Sequence, residues 1–494
     1  MKRTSIIIAA RNEANKIQPL VSRLKKWRHC FEVIVVANGC SDSTARRARR
    51  AGARVLEFEE PLGPDVGRAI GIAAAKGDIY LVLDADLRIY PNQLNPFVLA
   101  VEKGVDIALN RYPLPETVRF QHPTAVAKHA LNLFAERPDL AACSLTAVPH
   151  ALSRRVVKGI GAYAFAVPPV AQAAAMLSGS YRIEPVAHVP VGILNPMRSK
   201  DHQKRMRNLI IGDCLEAVHL IHLKKGVRGG FTDLHRKREL IPAFDDTGVE
   251  ELTHIAAVVP AQGEDSLLDV VESLSMTGVG QVVVVQNGSE KIRFKHASQK
   301  HVKSFHYDES VGHDVGRAIG CAKLKANGYF ITDADILMKP TDMKEFMDAL
   351  KKVDVALNSL DEVLPKESQT DAPSIVKRFV NLACNRPDLG VASLTAIPHA
   401  ITRQVVESIG VDALAVPPLA QVKAILAGFS VQTVHSVDVI HTNAYRPKLH
   451  APSSGRPVSK LITGDCLEAL FYLQSQIGIR AYFPDNLRRR DLLV

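Results

Sequence analysis

Short apolar runs alternate with longer helical stretches from the start of the chain. Ser5–Ala10, Val33–Ala37 and Tyr80–Leu83 are nearly unbroken apolar segments. Such runs suit strands buried on both faces, as in a parallel sheet, whereas a half-exposed strand would alternate apolar with polar. Glu13–Trp27, Ser43–Arg50 and Val66–Lys76 read as helices around them. Strand and helix in alternation predict a mostly parallel, doubly wound α/β sheet of Rossmann-like type. The strand pattern returns at Ile255–Val259, Gln281–Val285 and Phe330–Thr332. The first apolar run covers only Ile6 to Ala10 before Arg11. That is too short for the core of a signal peptide, so it is expected to be the first strand. No run of about 18 apolar residues exists, so no membrane span is expected.

The return of the pattern is a duplication. Asp65-Val66-Gly67-Arg68-Ala69-Ile70-Gly71 recurs from Asp314 to Gly320, and Asp84-Ala85-Asp86 recurs as Asp333-Ala334-Asp335, all 249 positions later. Arg137-Pro138-Asp139-Leu140, Ser144-Leu145-Thr146-Ala147, Pro149-His150-Ala151 and Val167-Pro168-Pro169 recur at the same offset. Gly212-Asp213-Cys214-Leu215-Glu216-Ala217 recurs 252 positions later, from Gly464. An ordered series of this kind does not arise by chance. Its period is far too long for a solenoid, so each copy is a whole domain. The expected division is 1–240 and 252–494, with a linker near Ile241–Glu251.

The polar residues with chemical potential gather at the carboxyl ends of the expected strands, where open α/β sheets bind ligands. Arg11 and Glu13 follow the first strand, Asn38 and Asp42 the second, and Asp84 and Asp86 the strand at Tyr80. Two carboxylates spaced Asp-x-Asp offer oxygen ligands to a hard divalent cation, Mn²⁺ or Mg²⁺, which commonly bridges protein to phosphate. In both copies the motif follows an apolar strand and lies 19 residues beyond the Asp of Asp-Val-Gly-Arg. The Ser-Asp pair after Asn38-Gly39 also suits a helix cap. The second copy reads Gln286-Asn287-Gly288-Ser289-Glu290 and lacks that pair, although Asn287 is retained.

Composition narrows the class. The 494 residues, 47% of them hydrophobic and 23% charged, describe a folded chain of two or three domains. The net charge of +11 and pI near 9.2 point to an anionic partner or to a basic solvated surface. No zinc-finger spacing or RNP-type motif accompanies the charge, so nucleic acid is not expected. Seven scattered cysteines without a C-x-x-C pair suit a reducing, cytoplasmic compartment.

Arg-Asn-Glu after the first strand, Asn-Gly-x-Ser-Asp-x-Thr after the second, Gly-Arg-Ala-x-x-Gly and Leu-Asp-Ala-Asp together resemble the family 2 glycosyltransferases of GT-A fold. The resemblance is fullest over about the first 110 residues and less complete over 255–340. It implies two tandem GT-A domains and a nucleoside-diphosphate sugar donor. By analogy Asp42 contacts the base or ribose, Asp84 faces the ribose or sugar, and Asp86 holds the metal. Asp333 and Asp335 repeat the last two roles, and Arg68 and Arg317 assist the phosphates. The late acidic motif of the family falls on Asp213 and Asp465, the candidate general bases. A helix cap is the competing reading of both. In a rival register the acid is replaced by Pro168-Pro169, which leaves room for a retaining relative of the glucosyl-phosphoglycerate synthase type. His441 fits the late metal-binding histidine, with no equivalent in the first copy.

The expected function is metal-dependent sugar transfer to a hydroxyl acceptor whose identity the sequence does not specify. The alternative is a non-catalytic nucleotide-sugar or glycan-binding scaffold. A nucleotidyltransferase lacks support, because no Gly-rich phosphate loop follows the first strand. The basic stretches Arg23–Arg28 and Arg488–Arg490 are candidates for peripheral contact with an anionic membrane, or solvated helix faces.

Overall fold

The computed structural model describes residues 2–113, 122–190, 199–244, 254–294, 301–364, 371–439, 456–485 and 488–493. The chain forms two compact units. The first comprises Met1–Lys224 together with Ile479–Val494, and the second Lys225–Gly478.

In the first unit the order is β1 (Thr4–Ala10), α1 (Ala14–Lys25), β2 (Cys30–Asn38), α2 (Thr44–Arg50), β3 (Arg54–Phe58), α3 (Val66–Ala74), β4 (Ile79–Asp84) and α4 (Pro91–Glu102). Then follow β5 (Ile107–Asn110), α5 (Pro123–Phe134), β6 (His150–Ser153), α6 (Arg154–Ile160), α7 (Pro168–Ser178), β7 (Ile183–Ala187) and α8 (Lys200–Lys225). The seven strands lie in the order β3-β2-β1-β4-β6-β5-β7. All neighbours are parallel except β6, which runs antiparallel to both β4 and β5.

The second unit repeats this with β8 (Ala256–Ala261), α9 (Leu267–Ser275), β9 (Gln281–Asn287), β10 (Val302–Tyr307), α10 (Val315–Ala322), β11 (Gly328–Ile331) and α11 (Pro340–Ala349). It continues with β12 (Val355–Asn358), α12 (Ala372–Ala383), β13 (His399–Thr402), α13 (Arg403–Ile409), α14 (Pro417–Leu426), β14 (Val431–His435) and α15 (Pro457–Ile477). Its sheet has the corresponding order, β10-β9-β8-β11-β13-β12-β14. Two mostly parallel α/β sheets are thus present, as the apolar runs predict.

The pattern fixes the central strands because they have no solvated face. Ile6, Ile7 and Ile8 are fully buried, with helices covering the sheet. β1 pairs with both β2 and β4, placing Ile8 beside Val35 and Leu83. α1 buries Ile17, Leu20, Val21 and Leu24, the three-and-four spacing of an amphipathic helix. The second glycine of Gly-Arg-Ala-x-x-Gly is a packing residue. A Cβ on Gly71 would stand 2.4 Å from Ile7 Cγ2, and one on Gly320 2.3 Å from Val258 Cγ1. Only glycine lets α3 and α10 lie this close to the strands beneath them.

One feature differs from the expected division at 240/252. Residues 225–240, at the end of the first copy, belong to the second unit, and residues 479–494, at the end of the second copy, belong to the first. Part of the expected linker, 245–251, lies outside the described residues. No described helix is long and apolar enough to cross a membrane.

Candidate active site

The loops after β1 and β2 are stitched together before any ligand arrives. Asn12, at φ 54°, accepts from the Ser41 amide at 2.9 Å. The Glu13 amide donates to Thr44 Oγ1 at 2.8 Å. Asp42 accepts from the Thr44 amide (2.9 Å), the Thr44 hydroxyl (2.5 Å) and the Ala14 amide (3.1 Å). Burial works against the Asp42 charge, but these bonds and the nearby Arg47 outweigh it and hold the carboxyl below its ordinary range. Asp42 therefore ties α2 to α1, and it is not among the residues lining the cleft described next. Asn38 likewise anchors a loop, accepting from the Leu62 amide at 2.5 Å and donating to the Gly63 carbonyl at 3.0 Å. Asn287 does the same in the second unit through the Val311 amide and the Ala261 carbonyl.

These loops frame a cleft of about 500 Å³ at the carboxyl ends of β1, β2 and β4. Arg11, Glu13, Asn38, Asp65, Arg68, Asp84 and Asp86 line it, with His202 of α8. At its floor Arg68 grips Asp84 with two parallel bonds, Nε to Oδ1 at 3.0 Å and Nη2 to Oδ2 at 2.5 Å. Its other arm reaches Asp65 Oδ1 at 2.7 Å. Burial opposes the Arg68 charge, but Asp84 and Asp65 more than compensate and keep the guanidinium firmly protonated. The second unit has a cleft of about 430 Å³ lined by Gln262, Glu264, Asn287, Asp314, Arg317, Asp333 and Asp335. There Arg317 Nη2 bridges both oxygens of Asp333, at 3.1 and 3.2 Å.

Asp84 is thus committed to an arginine, and Asp86 is the second carboxylate of the motif in the same cleft. Among the described residues no group of three or more His, Cys, Asp or Glu side chains is assembled for a metal. The chain's described contribution to a cation would be the carboxylate of Asp86, a hard oxygen ligand. Mg²⁺ is commonly held that way, so the donor set fits. His441 lies outside the described residues.

Asp213 and Asp465, expected as general bases, are found elsewhere. Each is only 1% exposed, on the inner face of α8 or α15. Arg488 donates to both oxygens of Asp213, at 2.7 and 2.6 Å, and Arg480 adds a bond of 2.8 Å. Asp465 is held in the same way by Arg236, at 2.8 Å to each oxygen, and by Arg228 at 2.7 Å. Three of the four lone-pair positions on each carboxylate are taken by guanidinium N–H groups, so in this geometry both acids serve as buried anchors. The proteins' rival helix starts, Pro168-Pro169 and Pro417-Pro418, open α7 and α14 and are buried. Of the basic stretch Arg488–Arg490, the Arg488 side chain is wholly buried, whereas Arg489 and Arg490 remain partly exposed and pair with Glu60 and Glu216 respectively.

His150 and His399 are buried beneath the clefts, each with Nδ1 2.9 Å from a backbone carbonyl oxygen, of Ala147 and Ala396 respectively. Burial pushes both rings down to about 3. An unfolded histidine takes its proton near 6.5, so between that pH and about 3 the unfolded chain binds more protons. Stability accordingly falls as pH drops below about 6.5, by up to about 1.4 kcal/mol per pH unit for each ring. Denaturant unfolding at pH 7, 6 and 5 tests this, with a shallower loss expected for His150→Asn. Equal slopes in the two proteins would refute it.

Residues 5–143 match the family model of glycosyl transferase family 2. This stretch of the chain is therefore similar to family 2 glycosyltransferases. The match lies within the first copy. Over 130 residues the chain is 29% identical to the undecaprenyl-phosphate 4-deoxy-4-formamido-L-arabinose transferase of Pseudomonas fluorescens (strain Pf0-1), covering 22% of this chain and 38% of that protein. It is 28% identical over 117 residues to the dolichol-phosphate mannosyltransferase of Pyrococcus furiosus, covering 22% and 33%. The chain therefore spans well under half the length of these relatives. Among solved structures, glucosyl-3-phosphoglycerate synthase from Mycobacterium tuberculosis in complex with Mn²⁺, UDP and glucosyl-3-phosphoglycerate aligns at a TM-score of 0.35 and 20% identity, over 44% of this chain and 80% of that one.

The motif residues of the first unit therefore divide into two kinds. Asp86, Arg68, Arg11 and Glu13 face the cleft, Asn38 both lines it and anchors its loop, and Asp42 and Gly71 build it from outside. His202 escaped sequence reasoning because α8 brings it back to the cleft from a distance of over a hundred residues. No local motif marks it.

Proposed function

We propose that the first unit transfers a sugar from a nucleoside-diphosphate sugar to a hydroxyl acceptor, with Mn²⁺ or Mg²⁺ bound at Asp86. The observation that carries this reading is the cleft itself. An Asp-x-Asp carboxylate stands beside a half-buried, arginine-locked Asp84 at the sheet's carboxyl edge, inside the stretch that matches the family 2 glycosyltransferase model. Arg68 fixes Asp84 in one rotamer, so a sugar or ribose hydroxyl meets a preorganised acceptor. Arg11, exposed at the rim, supplies positive charge toward a diphosphate. Bound there, the cation would offset the negative charge that accumulates as the nucleoside diphosphate departs. The second unit repeats the Arg317, Asp333 and Asp335 arrangement without a counterpart of Asp42, and we assign it the same donor class. A transferase is favoured over a passive scaffold because the metal-motif carboxylates and their arginine are retained together in both clefts.

Calorimetry with UDP, GDP and their sugars, with and without Mn²⁺, tests the proposal. Metal-dependent binding with slow release of free nucleotide is expected. Absence of metal-dependent binding for every nucleotide would sink it.

A further inference from the structure

The acids of Gly-Asp-Cys-Leu-Glu-Ala are docking points for an arginine-bearing tail, and the tails are exchanged. Arg228, Arg236 and Arg238 close the first copy and recur 252 positions later as Arg480, Arg488 and Arg490. The three from the first copy belong to the second unit, and the three from the second copy belong to the first. The glycine of the motif makes room for them. A Cβ on Gly212 would lie 2.6 Å from Arg480 Nη2, and one on Gly464 2.7 Å from Arg228 Nη2.

The tail reaches past this anchor to the cleft. Arg488 holds Asp213 with one side of its guanidinium and donates to Asp65 Oδ2 at 3.0 Å, while its Nε bonds the Pro64 carbonyl at 3.1 Å. Asp65 in turn meets Arg68, which grips Asp84. In the second unit Arg236 holds Asp465, reaches Asp314 Oδ2 at 2.8 Å and bonds the His313 carbonyl at 2.9 Å. Asp314 then meets Arg317, which grips Asp333. Asp65 and Asp314 both sit at φ 64°, a left-handed conformation that costs energy for a residue with a side chain. Two arginines on each acid supply the restraint that keeps it there.

We propose that Arg488 is a positioning residue for the donor cleft of the first unit and Arg236 for that of the second, so that each cleft is completed by the tail of the other copy. The naming of these clefts as donor sites rests on the function proposed above. The tandem arrangement then has a purpose: neither copy alone carries both its Asp-x-Asp cleft and the arginine that sets it.

Hydrogen exchange and calorimetry on the full chain test this together. In Arg488→Gln, exchange in segment 62–72 speeds at least about tenfold, as the loss of charge-assisted bonds requires, while segment 309–320 keeps its wild-type rate. Arg236→Gln gives the reverse. With Mn²⁺ and UDP, or Mn²⁺ and GDP, as probe, Arg488→Gln weakens the same binding event that Asp86→Asn removes, and Arg236→Gln the one that Asp335→Asn removes. Arg488→Lys keeps the charge without the two-pronged grip. It guards against a fold failure of the Gln variant, and its loosening is confined to 62–72. Loosening of the copy that contributes the tail, of both segments equally, or of neither would overturn the proposal. If the wild-type protein binds neither nucleotide, the donor reading fails, and the exchange pattern still decides the positioning role.

Discussion

Asp86→Asn is expected to lower sugar transfer on the order of 10³-fold and to abolish metal-dependent nucleotide binding, with an unchanged melting temperature. The side chain lies in the cleft on the turn after β4, so an isosteric amide leaves packing as it was. What it removes is the anionic oxygen that a hard cation requires. A metal ion contributes several kcal/mol to charge stabilisation in such reactions, which converts to that loss of rate. The companion variant Asp335→Asn makes the same change in the second unit. Steady-state transfer with each variant shows which cleft works. Wild-type turnover in the double variant would remove the metal from the reaction altogether. Asp84→Asn would be a poorer probe, because it also strips Arg68 of its bidentate partner.

The second large effect is on stability. Asp213→Ala leaves the buried Arg480 and Arg488 facing each other without their shared carboxylate. Breaking one side of a buried ion pair costs about 3–5 kcal/mol. For a unit of this size that lowers the melting temperature by roughly 10 °C. Adding Arg488→Leu to Asp213→Ala recovers part of the loss, because without Asp213 the two buried guanidiniums are under-compensated, Arg488 keeping only the carboxylates of Asp65 and Asp485. Differential scanning calorimetry of the three proteins measures this. A general base would behave in the opposite way, with kcat falling by orders of magnitude and the melting temperature holding. That outcome would return Asp213 to the catalytic role its sequence context implied.

The two expectations separate what one-dimensional pattern encodes from what it does not. Unbroken apolar runs marked β1, β2 and β4 within one to three residues, because a strand covered on both faces has no polar position to interrupt it. The four-residue strands β5, β6 and β12 carried no such signal, and antiparallel β6 is placed only by its partners. The Asp-x-Asp motif was legible because its chemistry is local: two carboxylates on one turn at the end of one strand. Asn38 and Asp42 look identical to ligand-binding residues in sequence, since a side chain that bonds a backbone amide uses the same oxygens that would bond a ribose.

The duplication, the parallel α/β class and the Asp84–Asp86 and Asp333–Asp335 pairs were determined by sequence alone, through periodicity and exact recurrence. Only tertiary structure decided that Asp213 and Asp465 are anchors, that Arg68 locks Asp84, and that each tail serves the other copy's unit. The reason is distance along the chain. Arg488 meets Asp65 across 423 positions and Asp213 across 275. An aspartate carries the same letter whether its carboxylate faces solvent, a metal or two guanidiniums, and which it meets is fixed by the fold that brings remote residues together.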